Sequence, residues 1–350
     1  TISPMETNFD VVVIGGGASG MMSAIFASRK GKKTLILDHN EKLGKKLYIT
    51  GKGKCNLTNN SSVETHLENI MHNSKFMYSA LNAFTPQDTM AFFEENGLKL
   101  RTERGKRVFP ESDKSSDVIK TLEKCLHRYE VKISLNNEIL SVQKQGDLFH
   151  IKCDNGVEYT SSSLILATGG LSYTGTGASD FGCKIATQFG HKLIKAKSAL
   201  CPIVLYDDVS SLNGLSLKNV SLERESLEYA KTDLKNYLYT VLPHSFVDYF
   251  MHHTKLTNKK MADLSKIERN TIISNLKQFD FLIKSLDNIN VSIVTAGGVD
   301  VKQINSKTCE SKLVPNLYIV GELLDVDALT GGFNLQIAWS TGFVAGNSVR

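Results

Sequence analysis

FDVVVIGGGASG, residues 9–20, decides how this chain is read: a β-branched run, a cluster of glycines and the opening of a helix follow one another without a break. Phe9 to Ile14 reads as a strand, Ala18 to Lys30 as a helix, and Thr34 to Asp38, after Gly31, as a second strand, which together predict a βαβ unit. In Gly15-x-Gly17-x-x-Gly20 the first glycine permits a tight turn and the second lets backbone approach a pyrophosphate. The third permits close packing of helix on strand. The helix that opens at Ala18 and Ser19 aims free amides and the positive end of its dipole at the same place. Asp38 closes the second strand, 18 residues beyond Gly20, where a carboxylate accepts hydrogen bonds from ribose hydroxyls. The unit predicts dinucleotide binding and does not distinguish FAD from NAD.

Working outward, the 18 uncharged residues Val11 to Ser28 approach the ~20 of a membrane-spanning helix. Seven of them are Gly or Ser, so strand, turn and helix account for them better and no membrane partner is expected. No basic segment followed by an apolar core precedes or includes Met5, as a secretory leader requires. With 41 Lys and Arg against 36 Asp and Glu, the net charge of +5 is mild for 350 residues. No run of basic residues interleaved with aromatics is visible, and no nucleic-acid partner is expected. The six cysteines, at 55, 125, 153, 183, 201 and 309, form no CxxC and no Cys/His metal spacing. They read as reduced thiols of a cytoplasmic chain with no metal site, and Cys55 reads as structural more than nucleophilic.

The pattern beyond Asp38 alternates helices and strands and predicts an α/β protein. A mostly helical stretch is expected from about Glu64 to Tyr129, then strands near 131–135, 139–144, 148–153 and 163–168. Short strand-like runs from 192 to about 227 precede a helical block over 234–288, a strand at 291–298, and a closing strand, loop and helix over 316–346. The simplest layout is a discontinuous cofactor domain, 1–191 with 303–350, holding an inserted β domain, 192–233 with 289–302, and a helical subdomain, 234–288.

The closing block separates FAD from NAD. A large dinucleotide such as FAD is gripped at both its adenosine and its isoalloxazine ends. Gly321-Glu322 after NLYIV, then Asp325, then Gly331-Gly332-Phe333-Asn334 opening a helix, form a second glycine-rich grip. Reduced flavin carries negative charge that a helix N-terminus stabilises. Ala338, Gly342 and Gly346, four apart, give that helix a smooth face. Between the two grips, GKKLYITGKGKCNLTNN (44–60) suits a loop along a phosphate–ribose chain, with Lys45, Lys46 or Lys54 offsetting phosphate charge, and ATGG (167–170) adds a further tight turn. No second GxGxxG exists, so a reduced nicotinamide has no dedicated domain.

VVVIGGGASG, GKKLYITGKGKCNLTN, GKRVFPES (105–112), ILATGG, TAGGV (295–299) and GELLDVDALTGGFNLQIAWSTGFVAG together resemble the BaiN/YhiN-type FAD-dependent oxidoreductases of bacteria, a family of aminoacetone-oxidase-like and dehydro-bile-acid-reductase-like flavoproteins. The likeness spans the whole chain. It implies a glutathione-reductase-like FAD-binding Rossmann domain carrying an inserted β domain and a helical subdomain. Position by position, it places cofactor contacts at Gly15, Gly17, Ser19, Gly20, Asp38, Lys45, Gly53, Cys55, Asn56, Thr168, Gly169, Gly321, Glu322, Gly332, Phe333 and Asn334. Ala18, His39, Lys54, Ile139, Ala167 and Asp325 complete the expected set. Two departures stand out. Asp38 replaces the family's usual Glu, and nothing between Ser221 and Pro243 matches the family's Phe-Thr-His stretch.

The expected activity is two-electron transfer between flavin N5 and a small organic substrate, with NAD(P)H as a transient donor. Tyr173, Asp325 and Asp327 are candidate proton donors, and none is assigned as the catalytic acid. A tRNA-modifying flavoprotein and a non-catalytic flavin-binding protein are the alternatives. Substrate and oligomeric state are left open.

Overall fold

A computed structural model describes residues 7–201, 203–212, 229–287 and 292–350. The segment around Met5 and the last of the strand-like runs expected before 227 lie outside the described residues. The chain divides into two compact units, Thr1–Cys201 with Asn288–Arg350, and Pro202–Asp287.

The larger unit begins β1 (Asn8–Ile14), α1 (Ala18–Arg29), β2 (Thr34–Leu37) and α2 (Lys45–Ile49). It continues through β3 (Thr58–Asn59), α3 (Val63–Asn69), α4 (Ser74–Ala83), α5 (Pro86–Glu95), β4 (Leu100–Glu103), β5 (Arg107–Pro110) and α6 (Ser115–Arg128). Then come β6 (Lys132–Ser134), β7 (Ile139–Gln145), β8 (Leu148–Cys153), β9 (Glu158–Leu166), α7 (Phe181–Gln188) and β10 (Leu193–Ala199). The smaller unit holds β11 (Ile203–Leu205), α8 (Leu234–Val241), α9 (His244–His253), α10 (Lys266–Lys277) and β12 (Ile283–Leu286). The chain returns to the larger unit with β13 (Val294–Val299), β14 (Leu317–Ile319) and α11 (Phe333–Ser348).

The main sheet runs β6-β2-β1-β9-β8-β7, with β14 added to the end of β9. β6, β2, β1, β9 and β14 are mutually parallel, while β7, β8 and β9 form an antiparallel meander. β1 is central and buried on both faces, which is why Val11, Val12 and Val13 follow one another without polar alternation. α1 is likewise buried almost all round, because α11 packs across it. A Cβ at Gly342 would stand 2.6 Å from Ser19 O and one at Gly346 2.4 Å from Ser23 O, so both glycines are required for that approach.

Where the sequence suggests a mostly helical stretch, between 64 and 129, the fold places β4 and β5, which with β3 just before that stretch form the three-stranded antiparallel sheet β3-β5-β4. Its strands are two to four residues long, and β4 and the turn after it are charged, LRTE followed by RGK, so no apolar alternation announces them. Of the strands expected in an inserted β domain, β10 and β13 pair antiparallel in the larger unit, while β11 lies in the smaller and pairs with β12, a strand inside the block 234–288 where the sequence predicts helix. The smaller unit closes α8, α9 and α10 over a core of Leu238, Val247, Phe250 and Ile272.

Candidate cofactor and active site

Parallel pairing aligns four strand ends. Ile14 is opposite Leu37 and Leu166, and Leu166 is opposite Ile319. The loops that follow, Gly15–Gly17, Asp38–Asn40 and Ala167–Gly170, with Glu322 after β14, therefore open at one edge of the sheet, where ligands of α/β proteins bind. They enclose a cavity of about 650 Å³, within the ~300–1,000 Å³ of small-molecule and cofactor sites.

The fingerprint glycines divide into two kinds. A Cβ on Gly15, whose φ is +106°, would lie 2.4 Å from Ala167 O, and one on Gly20 would lie 1.9 Å from Gly15 O. The protein's own backbone requires both to be bare. Gly17 differs: its φ of −81° suits any residue and, beyond its chain neighbours, no atom of the described residues lies within 4 Å of a Cβ placed there. The space beside Gly17 belongs to the cavity. Gly17 also caps α1 with no side-chain acceptor, and the first turn carries no acid, so the amides of Ala18, Ser19 and Gly20 are left for an anion. Two polar atoms of the wall, Asn56 Oδ1 and Thr168 Oγ1, are buried without a hydrogen-bond partner among the described residues. A bare approach, free helix amides and unpaired polar atoms fit a phosphate-bearing dinucleotide such as FAD.

Asp38 is engaged by the protein itself. Oδ2 accepts from Gly16 N at 2.7 Å, and Oδ1 accepts from Asn40 N at 2.8 Å and Asn40 Nδ2 at 2.9 Å. The carboxylate thus fixes the glycine loop, with one Oδ2 lone pair left for a ribose hydroxyl. Further along the wall, Lys46 Nζ donates to Glu322 Oε2 at 2.6 Å and to Ser172 Oγ at 2.8 Å. Glu322 Oε1 accepts from Thr295 N at 2.9 Å, and Thr295 Oγ1 accepts from Leu171 N and Ser172 N. This network joins α2, the loop after β9, β13 and the residues after β14. Lys46 offsets the charge of Glu322 in a cavity shaped for an anion.

Of the residues predicted from sequence, the wall gathers Gly15, Gly17, Ala18, Ser19, Asp38, His39, Lys45, Asn56, Ile139, Ala167, Thr168, Gly169, Glu322, Gly332 and Asn334. Seven others support it from behind or lie away from it. Gly20 and Gly321 are packing positions, a Cβ on Gly321 lying 2.5 Å from Ser19 Oγ. Gly53 ends the turn Thr50–Gly53, and Lys54 pairs with Asp113 at 3.1 Å. Phe333 is buried edge-on against His66, with 4.9 Å between centroids. Asp325 holds Asn73 Nδ2 at 2.9 Å, and Asp327 holds His72 Nδ1 at 2.6 Å. Neither acid, nor Tyr173, lines the cavity. Cys55 is fully buried, and burial pushes its thiol up to about 12, the range of an inert packing group. Asn334, though in the wall, spends its amide on Ala328 N and O and on Leu329 O, bracing the loop before α11.

Ser172 and Thr295 escape sequence reasoning, since single hydroxyls give no periodic signal. Only the glycines beside them, in ATGG and TAGGV, mark the places where backbone approaches closely. Among the described residues no three His, Cys, Asp or Glu side chains converge on a metal-sized site, and no helix is long and apolar enough to cross a membrane.

The model of the HI0933-like protein Rossmann domain matches residues 9–348. A ribosomal RNA dihydrouridine synthase of Escherichia coli strain K12 is 28% identical over 389 residues, covering 96% of each chain. A 3-dehydro-bile acid delta(4,6)-reductase of Clostridium scindens is 28% identical over 405 residues, covering 96% of this chain and 98% of that one. Among solved structures, a 3-ketosteroid delta1-dehydrogenase from Sterolibacterium denitrificans superposes with a TM-score of 0.61 at 12% identity, over 98% of this chain and 99% of that one. That last likeness is one of fold.

Proposed function

The chain belongs to the HI0933-like protein family and is a flavin-dependent oxidoreductase, and from that premise we propose that it binds FAD and saturates a carbon–carbon double bond conjugated to a carbonyl. The space left open at Gly17, beside uncapped helix amides, carries the cofactor reading. The reaction class draws on the two relatives, whose names both describe such a saturation, at a uracil ring and at a steroid enone. Residues 1–191 and 303–350 serve as the cofactor domain in this reading.

Bound FAD supplies a hydride acceptor and donor at N5, so that NAD(P)H, a proton and the unsaturated substrate become NAD(P)+ and the saturated product. The chain's own residues do the binding and orienting. α1 presents its first amides to the pyrophosphate, Asp38 fixes the glycine loop while offering one lone pair to the ribose, and Lys46 neutralises Glu322 so that two anions do not meet in one cavity. Asn56 and Thr168 gain partners from the ligand. With one glycine fingerprint, already committed, the nicotinamide donor visits the site transiently and exchanges with the substrate.

The test is to add NADH or NADPH anaerobically to the purified protein, record bleaching of the flavin, then add cyclohexenone or a uridine-containing RNA. Bleaching followed by recovery of the oxidised spectrum, with saturated product, is the expected outcome. Recovery only with oxygen, or release of FMN on denaturation, would overturn the reading.

A further inference from the structure

Lys52 and Lys106 stand where the backbone favours glycine. Lys52 has a φ of +57° between Gly51 and Gly53, at +57° and +84°, and Lys106 has a φ of +58° directly after Gly105, at +72°. A left-handed backbone strains any residue with a Cβ, and glycine would relieve it at both places. Each turn nevertheless carries a cation there, and strain of this kind is retained where a side chain is needed.

Both turns lie at the mouth of the cavity. Gly51 and Thr330 line it and are exposed, so the cavity meets solvent at both. Asn59 Nδ2 donates to Gly105 O at 2.9 Å and to Gly331 O at 3.1 Å, and Gly331 lines the wall beside Thr330. Arg104 and Lys106, on either side of Gly105, are thereby held at the same rim. A Cβ on Gly51 would stand 3.6 Å from Phe109 Cε1 of β5, the strand that begins directly after Lys106, so the two turns border one strand. The acids of this region are already used: Arg101 and Arg107 hold Glu103, and Arg101 and Lys54 hold Asp113. Lys52, Arg104 and Lys106 are exposed and make no ion pair or side-chain hydrogen bond among the described residues.

Gly331 and Gly332 belong to the second grip, the isoalloxazine end of the cofactor in the reading above. A nicotinamide ring that reaches N5 enters from this end, and the rest of its dinucleotide trails out over the rim. No second fingerprint binds that part, so charge is what remains to recognise it. NADPH differs from NADH by a phosphate monoester of about −2 charge. We propose that Lys52, Arg104 and Lys106 form a phosphate-recognising rim that selects NADPH over NADH as the hydride donor. The inference rests on the nicotinamide-donor reading above and adds the identity of the donor. The hydride balance is unchanged, with NADP+ as the oxidised product.

The experiment mixes the FAD-loaded chain anaerobically with NADPH or NADH in a stopped-flow instrument and follows bleaching against donor concentration, from ~50 to ~300 mM KCl. Half-saturation by NADPH is expected at a concentration at least ~10-fold below that of NADH at low salt, with the gap narrowing as salt rises. The double variant Lys52→Gly, Lys106→Gly should raise the half-saturating NADPH concentration ~5-fold or more and that of NADH by less than ~2-fold. Its urea midpoint should be equal to that of the wild type or higher, because glycine suits both backbones, so a loss of selectivity there is not a loss of fold. Adding Arg104→Gln should remove the remaining preference. Adenosine 2′,5′-bisphosphate should compete with NADPH at lower concentration than AMP does in the wild type, and no better than AMP in the triple variant. Equal half-saturation by the two donors, a preference indifferent to salt, or a preference that survives in the triple variant would overturn the proposal. Bleaching by neither donor would overturn it together with the donor reading. Bleaching with NADPH preferred, but no reoxidation by cyclohexenone, would count against the double-bond reduction and leave the rim standing.

Discussion

Gly17 and Gly20 sit three residues apart in one motif, yet the structure predicts opposite fates for substituting them. At Gly17 the backbone suits a valine, and its Cβ has open space beyond its chain neighbours, so the FAD-free chain should lose no more than about 1 kcal/mol, the order of a poorer helix N-cap. The same side chain fills the space beside the free amides of α1. Losing one or two charge-assisted hydrogen bonds, about 1.5–3 kcal/mol each, should weaken FAD at least ~10-fold. At Gly20 an alanine gains ~1 kcal/mol of helix propensity but places Cβ 1.9 Å from Gly15 O. Restoring an ordinary contact requires α1 to shift by ~1 Å against a packed core, at about 1–3 kcal/mol or more. Urea unfolding of the FAD-free proteins, followed by the single tryptophan, Trp339, which is fully buried, gives the first quantity. Quenching of flavin fluorescence on titration gives the second. If Gly17→Val destabilises the FAD-free protein as much as Gly20→Ala, or keeps FAD at wild-type affinity, the division of the glycines into packing and ligand positions is wrong.

Other expectations follow from the same geometry. Gly346→Ala, 2.4 Å from Ser23 O, should lower stability by ~1–3 kcal/mol despite better helix propensity, measured by urea midpoint. Gln336→Leu should cost about 2–4 kcal/mol, since its buried amide accepts from Thr58 and Thr89 and donates to Phe84 O and Ser340 Oγ; a loss below ~1 kcal/mol in chemical denaturation would contradict that network. Burial raises the thiols of Cys55 and Cys309 to about 12 from 9.0, so each favours folding fully below pH ~9 and loses about 1.4 kcal/mol per pH unit from there towards 12, as the unfolded thiol ionises first. Unfolding midpoints between pH 8 and 10.5 should therefore fall less steeply in Cys55→Ser than in the wild type, and iodoacetamide should leave native Cys55 untouched.

The parts of the site that are legible in sequence are those where backbone geometry restricts residue choice. Gly15, Gly20, Gly332 and Gly342 each stand where a Cβ would strike the chain itself, and such places write glycine into the sequence. The strands were readable for a related reason, since Val11–Ile14 of β1 and Leu35–Leu37 of β2 are buried and apolar throughout. Side-chain partnerships leave no such mark. Asp38 reads as a ribose ligand from its position, but its two bonds to Asn40 and one to Gly16 depend on how the loop folds back. Lys46 was one of three interchangeable lysines until Glu322, 276 residues away, was brought to it. Phe333 sits in the motif of the second grip, but helix direction turns its ring inward onto His66. The hairpin β4–β5 escaped because its strands are short, charged and surrounded by helices.

The antiparallel pair β10–β13 has an effect on how the smaller unit is tolerated. Ala199 is opposite Val294, and Ile293 N donates to Leu200 O at 3.2 Å, so the chain leaves the larger unit and returns to it at neighbouring points. To the parent sheet, everything from Pro202 to Asp287 is a closed loop whose ends are already clamped. The entropy of closing such a loop grows only logarithmically, about 0.6 kcal/mol for each doubling of its length. Selection can therefore lengthen, shorten or replace this excursion at almost constant cost to the cofactor half. The smaller unit can vary while the glycine loops at the strand ends stay as they are.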